Sequence, residues 1–368
     1  MDVDTKLSKL LALSVDQSIA ESLKAKLTAK PEFTVFHSFE PNGHLTLAHA
    51  LRYAIASKVV NECGGKYILF IADVRSSQDM FFKDADLPKP KPKEEDENQG
   101  GKGKKDKKAK KVKMTAQEEK EIRRDCIKKS TEYAMKVFEV LGVLGPHTQV
   151  IKSSEFSLNN YDLFYQMVSN STCLSINDVK SKIPPPPKNK VLSASQLIAP
   201  CMHATEIQFL NADIVICPEN LAGQLDILKT LNAETAPVVI PLPQIINLKN
   251  TNPVKPDPKN NYFFEDNKQV VGQKSNGAFC TDDINGNPVF QYISFLLLPF
   301  HGALDINGKQ YTSVQQIIDD FPTMDKKTLK SSLAFIVDET MDPVRCAFQQ
   351  PENHPIRESV GFMSPTNQ

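Results

Sequence analysis

The chain has 368 residues, 40% of them hydrophobic and 24% charged, with 44 basic and 44 acidic side chains in formal balance. That length fits about two domains with real cores, and no run approaches the ~18 consecutive apolar residues of a membrane helix. The seven cysteines, at 63, 126, 173, 201, 217, 280 and 346, form no CxxC pair, which points to reduced thiols in a cytoplasmic setting and away from a disulfide frame or any metal site.

The opening MDVDTKLSKL carries acidic residues and no apolar stretch, so it does not read as a secretory signal. Leu7, Leu10, Leu11, Leu13, Ile19, Leu23 and Leu27 recur at helical spacing and predict one or two amphipathic helices within residues 1–32. Phe33 to Phe36 then leans to strand, a Pro41-Asn42-Gly43 turn follows, and a helix runs from near Leu45 towards Val60. Glu62-Cys63-Gly64-Gly65 closes it, because glycine suits a left-handed cap. Strand, glycine turn and helix start bring free backbone N–H groups and the positive dipole end to one spot. Two readings stand side by side: a phosphate cradle, or an ordinary strand-to-helix connection.

Tyr67 to Asp73 is a continuous apolar run, as in a strand buried on both faces, so a right-handed βαβ unit and a parallel sheet are expected. Residues 83–115 break the pattern: prolines and lysines, then an acidic patch at Glu94–Glu97, then a lysine block. With almost no apolar residues it cannot offset its ordering entropy and is expected to be a disordered insertion. Lys104, Lys105, Lys107, Lys108, Lys110 and Lys111 are candidate RNA contacts through counterion release; a nuclear-localisation-like patch and a solvated tail are the alternatives.

Helical periodicity returns from Gln117 to Leu141, followed by a short strand at Val150-Ile151 and a helix from Leu163 to Val168. Ile183 to Lys188 is a polyproline connector, Leu192 to Leu210 helical, and Ala212–Cys217 and Val238–Pro241 are further parallel-type strands. Residues 249–266 read as loop, and Val289–Leu298, Val314–Phe321 and Lys326–Phe348 as helices. Asp342 as N-cap with Pro343 at the first helical position would split the last of these, with Arg345 pairing inside the helical domain. The chain divides into N-terminal helices (1–32), a Rossmann-like α/β domain (33–248), a loop and linker (249–282) and an all-α domain (283–368).

Several stretches, in order, then carry a resemblance. Phe39-Glu40-Pro41-Asn42-Gly43-His44-Leu45-Thr46-Leu47-Ala48-His49 resembles the FEPSG-x-hHhG[HQ] segment, with its class I HIGH motif, of eukaryotic and archaeal tyrosyl-tRNA synthetases, the trypanosomatid type in particular. Ile71-Ala72-Asp73, Ser153-Ser154-Glu155, residues 192–198 and 212–214, Asp257-Pro258, Phe264-Glu265-Asp266 and Met341 to Arg345 are similar to further family segments, so nearly all of the chain outside the lysine-rich insertion is covered.

The resemblance implies the class I catalytic fold followed by an anticodon-binding-like helical domain, ATP as cofactor, tRNA as partner, and a homodimer or a heterodimer with an intact tyrosyl-tRNA synthetase; neither DNA nor a membrane is expected. It implies nucleotide contacts at Glu40, Pro41, Gly43 and Ala48, and catalytic roles for Thr46, His49 and Lys255. Thr46 stands where the first HIGH histidine is expected, and the KMSKS stretch reads Asn252-Pro253-Val254-Lys255-Pro256. The amino-acid pocket would draw on Phe36, Ala72, Asp73, Ala199, His203, Glu206 and Asn220. There the tyrosine, the Tyr-x-x-x-Gln-x-x-Asp helix and the Gly-x-Asp-Gln segment of the family are replaced by Phe36, by Ala199, His203 and Glu206, and by residues 218–221. A hydroxyl carries no positive charge, and a phenol site that loses its hydrogen-bond partners loses discrimination of ~10⁴-fold or more. Three functions follow: a catalytically degraded, tRNA- or synthetase-binding paralogue; a working tyrosine–tRNA ligase with divergent motifs; or the same fold turned to another small ligand.

Overall fold

The computed structural model describes residues 1–41, 43–77, 115–183, 192–250 and 257–360. Two N-terminal helices, α1 (Val3–Leu11) and α2 (Ala20–Ala29), lead into strand β1 (Thr34–Phe39), helix α3 (Leu47–Glu62) and strand β2 (Lys66–Ile71). The short α4 (Asp73–Ser76) and the long α5 (Ala116–Val140) precede β3 (Thr148–Lys152). Next come α6 (Ser153–Asn159), α7 (Tyr161–Thr172), α8 (Ile176–Lys182), α9 (Ala194–Phe209), β4 (Ile214–Pro218), α10 (Glu219–Ala222), α11 (Asp226–Leu231) and β5 (Val238–Leu242). The C-terminal part holds α12 (Lys268–Asn276), α13 (Pro288–Gln291), α14 (Leu298–His301), the hairpin β6 (Leu304–Ile306) and β7 (Lys309–Tyr311), then α15 (Val314–Asp320), α16 (Lys326–Gln349) and α17 (His354–Val360). Among the described residues no helix is long and apolar enough to cross a membrane.

The five strands β1–β5 form one parallel sheet in the order β3-β2-β1-β4-β5. The order in which strands are added reverses between β1 and β4, and in open α/β sheets the crevice outside the carboxyl ends of the strands at such a switch point is where ligands bind. The apolar runs read from the sequence are these strands, and burial on both faces is what makes them continuous: all but the first residue of β2 is buried. Gly64 ends α3 with φ +72, and a Cβ at Gly65 would come within 2.5 Å of the Phe33 ring, so both glycines of that turn are required.

A large apolar cluster on one face of the sheet joins α3 and α5 to the C-terminal helices, through Leu51, Ile55, Phe138, Tyr292, Leu296, Leu333 and Phe348 among others. A smaller cluster on the opposite face packs Phe36, Ile68 and Phe70 against Ile207 and Leu228.

Two expectations are corrected. The region after residue 283 is not only helical. Leu304-Asp305-Ile306 and Lys309-Gln310-Tyr311 pair antiparallel around Asn307-Gly308, whose φ values of +56 and +79 suit a two-residue primed turn. Nor does Pro343 begin a helix. Helix α16 runs through it, with Leu329, Leu333, Ile336, Val337, Met341, Val344 and Phe348 forming one buried stripe on both sides of the proline. Packing of that stripe outweighs the lost backbone bond. Asp342 is therefore no cap; Arg345 reaches back to Asp338 at 2.7 Å and to Asp342 at 3.8 Å.

Candidate functional site

The carboxyl ends of the central strands bring together most of the residues singled out from the sequence. Glu40 follows β1, Ala72 and Asp73 follow β2, Ser153 and Ser154 follow β3, and α9 lays His203 and Glu206 across the same end. At their centre is a residue the sequence reading passed over, Arg75 of α4, which is 5% exposed. Its Nη1 donates to Glu40 Oε1 at 3.0 Å, and its Nε lies 3.6 Å from Glu206 Oε2.

The adjacent serines each hold one carboxylate at this strand end. Ser153 Oγ donates to the fully buried Glu206 at 2.7 Å, while the Ser154 N–H and Oγ donate to Asp73 at 2.9 and 2.5 Å. Burial pushes the Glu40 and Glu206 carboxyls above their ordinary range, against the opposing pull of Arg75. The His203 ring, 5.8 Å from that of Phe36, is driven well below the usual histidine range, first by burial and then by Arg75, and is neutral. Arg75 Nε and Nη2, Glu206 Oε2 and His203 Nε2 are buried without a hydrogen-bond partner. Of the remaining pocket candidates, Ala72 is buried at the strand end, Ala199 is half-buried on α9, and Asn220 is exposed on α10.

The described residues of the turn, 40–41 and 43–49, bond largely to the chain itself. The Gly43 N–H donates to Ser130 Oγ at 2.9 Å, and that hydroxyl donates back to the Gly43 carbonyl. Thr46 is the N-cap of α3, fully buried, its hydroxyl accepting from the His49 N–H at 3.1 Å. The Leu47 N–H donates to the Tyr262 carbonyl at 2.9 Å, because the Tyr262-Phe263 segment lies over the helix start and bridges Thr46. Three N–H groups that would face an anion therefore end on the chain's own acceptors.

Pro41 and Ala48 are buried beside them. The His49 ring packs against Phe39 and Tyr53 at centroid distances of 5.8 and 5.4 Å, and its Nδ1 has no hydrogen-bond partner. Burial, with Arg52 nearby, lowers its pKa to about 3, so it is uncharged at neutral pH. Behind it His37, stacked on Tyr53 at 4.1 Å and 2.7 Å from the Tyr67 hydroxyl, is lowered to about 3 in the same way.

A second group fixes the mouth of the turn. His44 Nδ1 lies 3.1 Å from Glu265 Oε1, Tyr133 donates to the same oxygen at 2.7 Å, and the Tyr133 ring stacks on Phe348 of α16 at 5.2 Å. Lys255 and the lysines at 104, 105, 107, 108, 110 and 111 lie outside the described residues, as do the expected insertion between residues 83 and 114 and most of the polyproline connector.

A parallel sheet with this strand order, an FEP turn at its switch point and a helical region packed beside it has the architecture of the class I aminoacyl-tRNA synthetases. The tyrosyl-tRNA synthetase of Aeropyrum pernix superposes with a TM-score of 0.78 at 19% identity, over 98% of this chain and 99% of that one. A Leishmania major tyrosyl-tRNA synthetase in complex with tyrosinol gives 0.76 at 20% identity, over 98% of this chain but 52% of that one. In sequence, the tyrosine–tRNA ligase of Methanopyrus kandleri is 23% identical over 95% of this chain and all of its own length. The cytoplasmic tyrosine–tRNA ligase 2 of Arabidopsis thaliana is 25% identical over 239 residues, 59% of this chain, and the match spans 32% of that relative. No protein-family profile matches the chain. The chain is similar in sequence to tyrosyl-tRNA synthetases, and the resemblance read from its sequence extends to its fold.

Proposed function

We propose that this is a tyrosyl-tRNA synthetase-like protein of translation that no longer activates tyrosine and acts by binding tRNA or a synthetase subunit in the cytoplasm. One observation carries the reading: the cleft is occupied by the chain's own groups. The N–H groups of Gly43, Leu47 and His49 are bonded internally, His49 is neutral, and Arg75 lies between Glu40 and Glu206 where the phenol partners are expected. Class I chemistry depends on positioned donors and charge that stabilise a triphosphate as the transition state forms. A site whose donors are already paired and whose histidine is uncharged supplies little of either.

The direct test is ATP–pyrophosphate exchange with L-tyrosine. We expect none above a Lys255→Ala control; exchange clearly above it overturns the reading. It would then favour the alternative of a divergent working ligase using Thr46, His49, Lys255, His203 and Glu206, a reading supported by the full-length match to the Methanopyrus kandleri ligase.

A binding role is supported by the outer face of α6 and α7. Leu158, Tyr161, Phe164, Tyr165 and Val168 are 77, 85, 64, 76 and 46% exposed. The last four fall at helical spacing on one side, so an apolar stripe faces outward while Leu163 faces the core. Such a patch marks a protein–protein contact, and a dimer, with a second copy or with an intact synthetase, is the partner that fits this fold. For tRNA, gel retardation is expected. Deleting residues 100–113 should flatten the salt dependence of binding if those lysines meet phosphate, and an unchanged slope removes them from the interface.

A further inference from the structure

The buried cluster at Arg75 carries more than a loss of function. Its guanidinium is a cation held inside the protein between two segments remote in sequence, Glu40 after β1 and Glu206 on α9, and Ser153 after β3 donates to that same Glu206. A guanidinium has five N–H donors in a fixed fork and no acceptor. Here Nη1 is hydrogen-bonded to Glu40, Nε lies 3.6 Å from Glu206, and neither Nε nor Nη2 has a hydrogen-bond partner. The side chain is therefore held chiefly by charge, and of the two carboxylates that face it Glu206 is itself oriented by Ser153.

We propose that Arg75 is an internal occupant of the amino-acid pocket and that the pocket around it is selective for a guanidinium cation rather than a phenol. This rests on the reading that the cluster is the counterpart of a synthetase's amino-acid site. With the Arg75 side chain absent, the cleft would present the two carboxyl groups that now face it, Glu40 and Glu206, with a neutral His203 beside them. A phenol brings no charge to offset buried carboxylates, and a phosphate would meet like charge. A planar cation with several N–H donors meets both needs, since buried charges persist only when paired and hydrogen-bonded. Arg75 thus sets the pocket's specificity: it excludes an amino acid by filling the space, and its removal exposes a site for its own head group.

The test uses thermal unfolding of the full chain and of Arg75→Ala, with guanidinium chloride at low millimolar concentration as the probe and sodium chloride at equal ionic strength as the control. The variant should unfold several degrees lower, recover on adding guanidinium, and recover with neither sodium chloride nor L-tyrosine; the unmodified chain should gain nothing. At a probe concentration about ten times its Kd the recovery corresponds to a factor of about 11 in the folding equilibrium. An equal response of both chains to guanidinium, no response of the variant, or its stabilisation by tyrosine instead, overturns the proposal.

Should Arg75→Ala not fold, nitrogen-resolved NMR of the unmodified chain reads the same claim. The Arg75 Nε–H, assigned by its loss in Arg75→Lys, should exchange with solvent far more slowly than in an exposed arginine, and exchange at the exposed rate overturns it. Neither readout depends on catalysis. Pyrophosphate exchange by the unmodified chain would refute the loss of activity while leaving the Arg75 result to be judged by itself.

Discussion

The strand-end cleft and the outer face of α7 invert the usual roles of polar and apolar groups. In the cleft, the buried Arg75 is paired with the half-buried Glu40 and the buried Glu206, and the Asp73 carboxylate accepts from the Ser154 hydroxyl. On α7, large apolar side chains stand in solvent. The first arrangement costs desolvation and gives a small molecule little to hold. The second leaves unburied the area that would stabilise an association. Side by side, they describe a scaffold whose charged strand end is closed on itself and whose outer helix face is open to solvent.

Substitutions test each half of that contrast. The largest effect is expected from Arg75→Ala, which leaves Glu40 and the fully buried Glu206 without their cation. Removing one partner of a buried pair costs about 3–5 kcal/mol, read as a lower urea midpoint; a loss below about 1 kcal/mol would mean the cleft is not held by this network.

Next comes acid sensitivity. His37 and His49 have folded pKa values of about 3 against an ordinary 6.5. Between those values the unfolded chain binds more protons than the folded one, so stability rises with pH through that window and is lost as pH falls from about 6.5. Glu40 and Glu206, raised by burial, act in the opposite sense above the ordinary carboxylate range. His49→Gln should reduce the slope of unfolding free energy against pH by up to about one proton, and an unchanged slope would show that this histidine is not buried neutral.

A third test addresses the surface alone. Under the dimer proposed above, Phe164→Asp with Tyr165→Asp should leave a monomer in sedimentation where the unmodified chain runs as a dimer. Folding stability should change by no more than about 0.5 kcal/mol per site, as for exposed positions; a dimer that survives both changes would move the interface elsewhere. The last test, His44→Ala, has a smaller effect than Arg75→Ala. Glu265 keeps its bond from Tyr133, so a loss of about 1 kcal/mol is expected in the same urea titration.

The sequence made the sheet legible because its strands are buried on both faces, so apolar runs such as Tyr67–Ile71 and Ile214–Cys217 needed no partner to be recognised. The hairpin at residues 304–311 carried an equally local signal, Asn307-Gly308 between alternating residues, hidden only because its strands are three residues long. Pro343 misled for the opposite reason: its local signal was overruled by a stripe of packing that only the folded neighbours provide.

The site divides in the same way. Glu40, Asp73, His203 and Glu206 were found by motif. The meaning of Arg75 depends on carboxylates remote in sequence, and the closure of the turn depends on Ser130 and Tyr262, which no spacing connects to it. Polar groups that meet only after folding leave no period in the chain.

The apolar cluster that joins α3 and α5 to the C-terminal helices has a practical consequence. Leu51 and Ile55 of α3 share one packed interior with Tyr292, Leu296 and Phe348, so the sheet and the helical region do not own separate cores. A cut near residue 249 would strip apolar surface from both fragments at once. The intact chain should therefore melt in a single calorimetric transition, and neither fragment should remain soluble without the other.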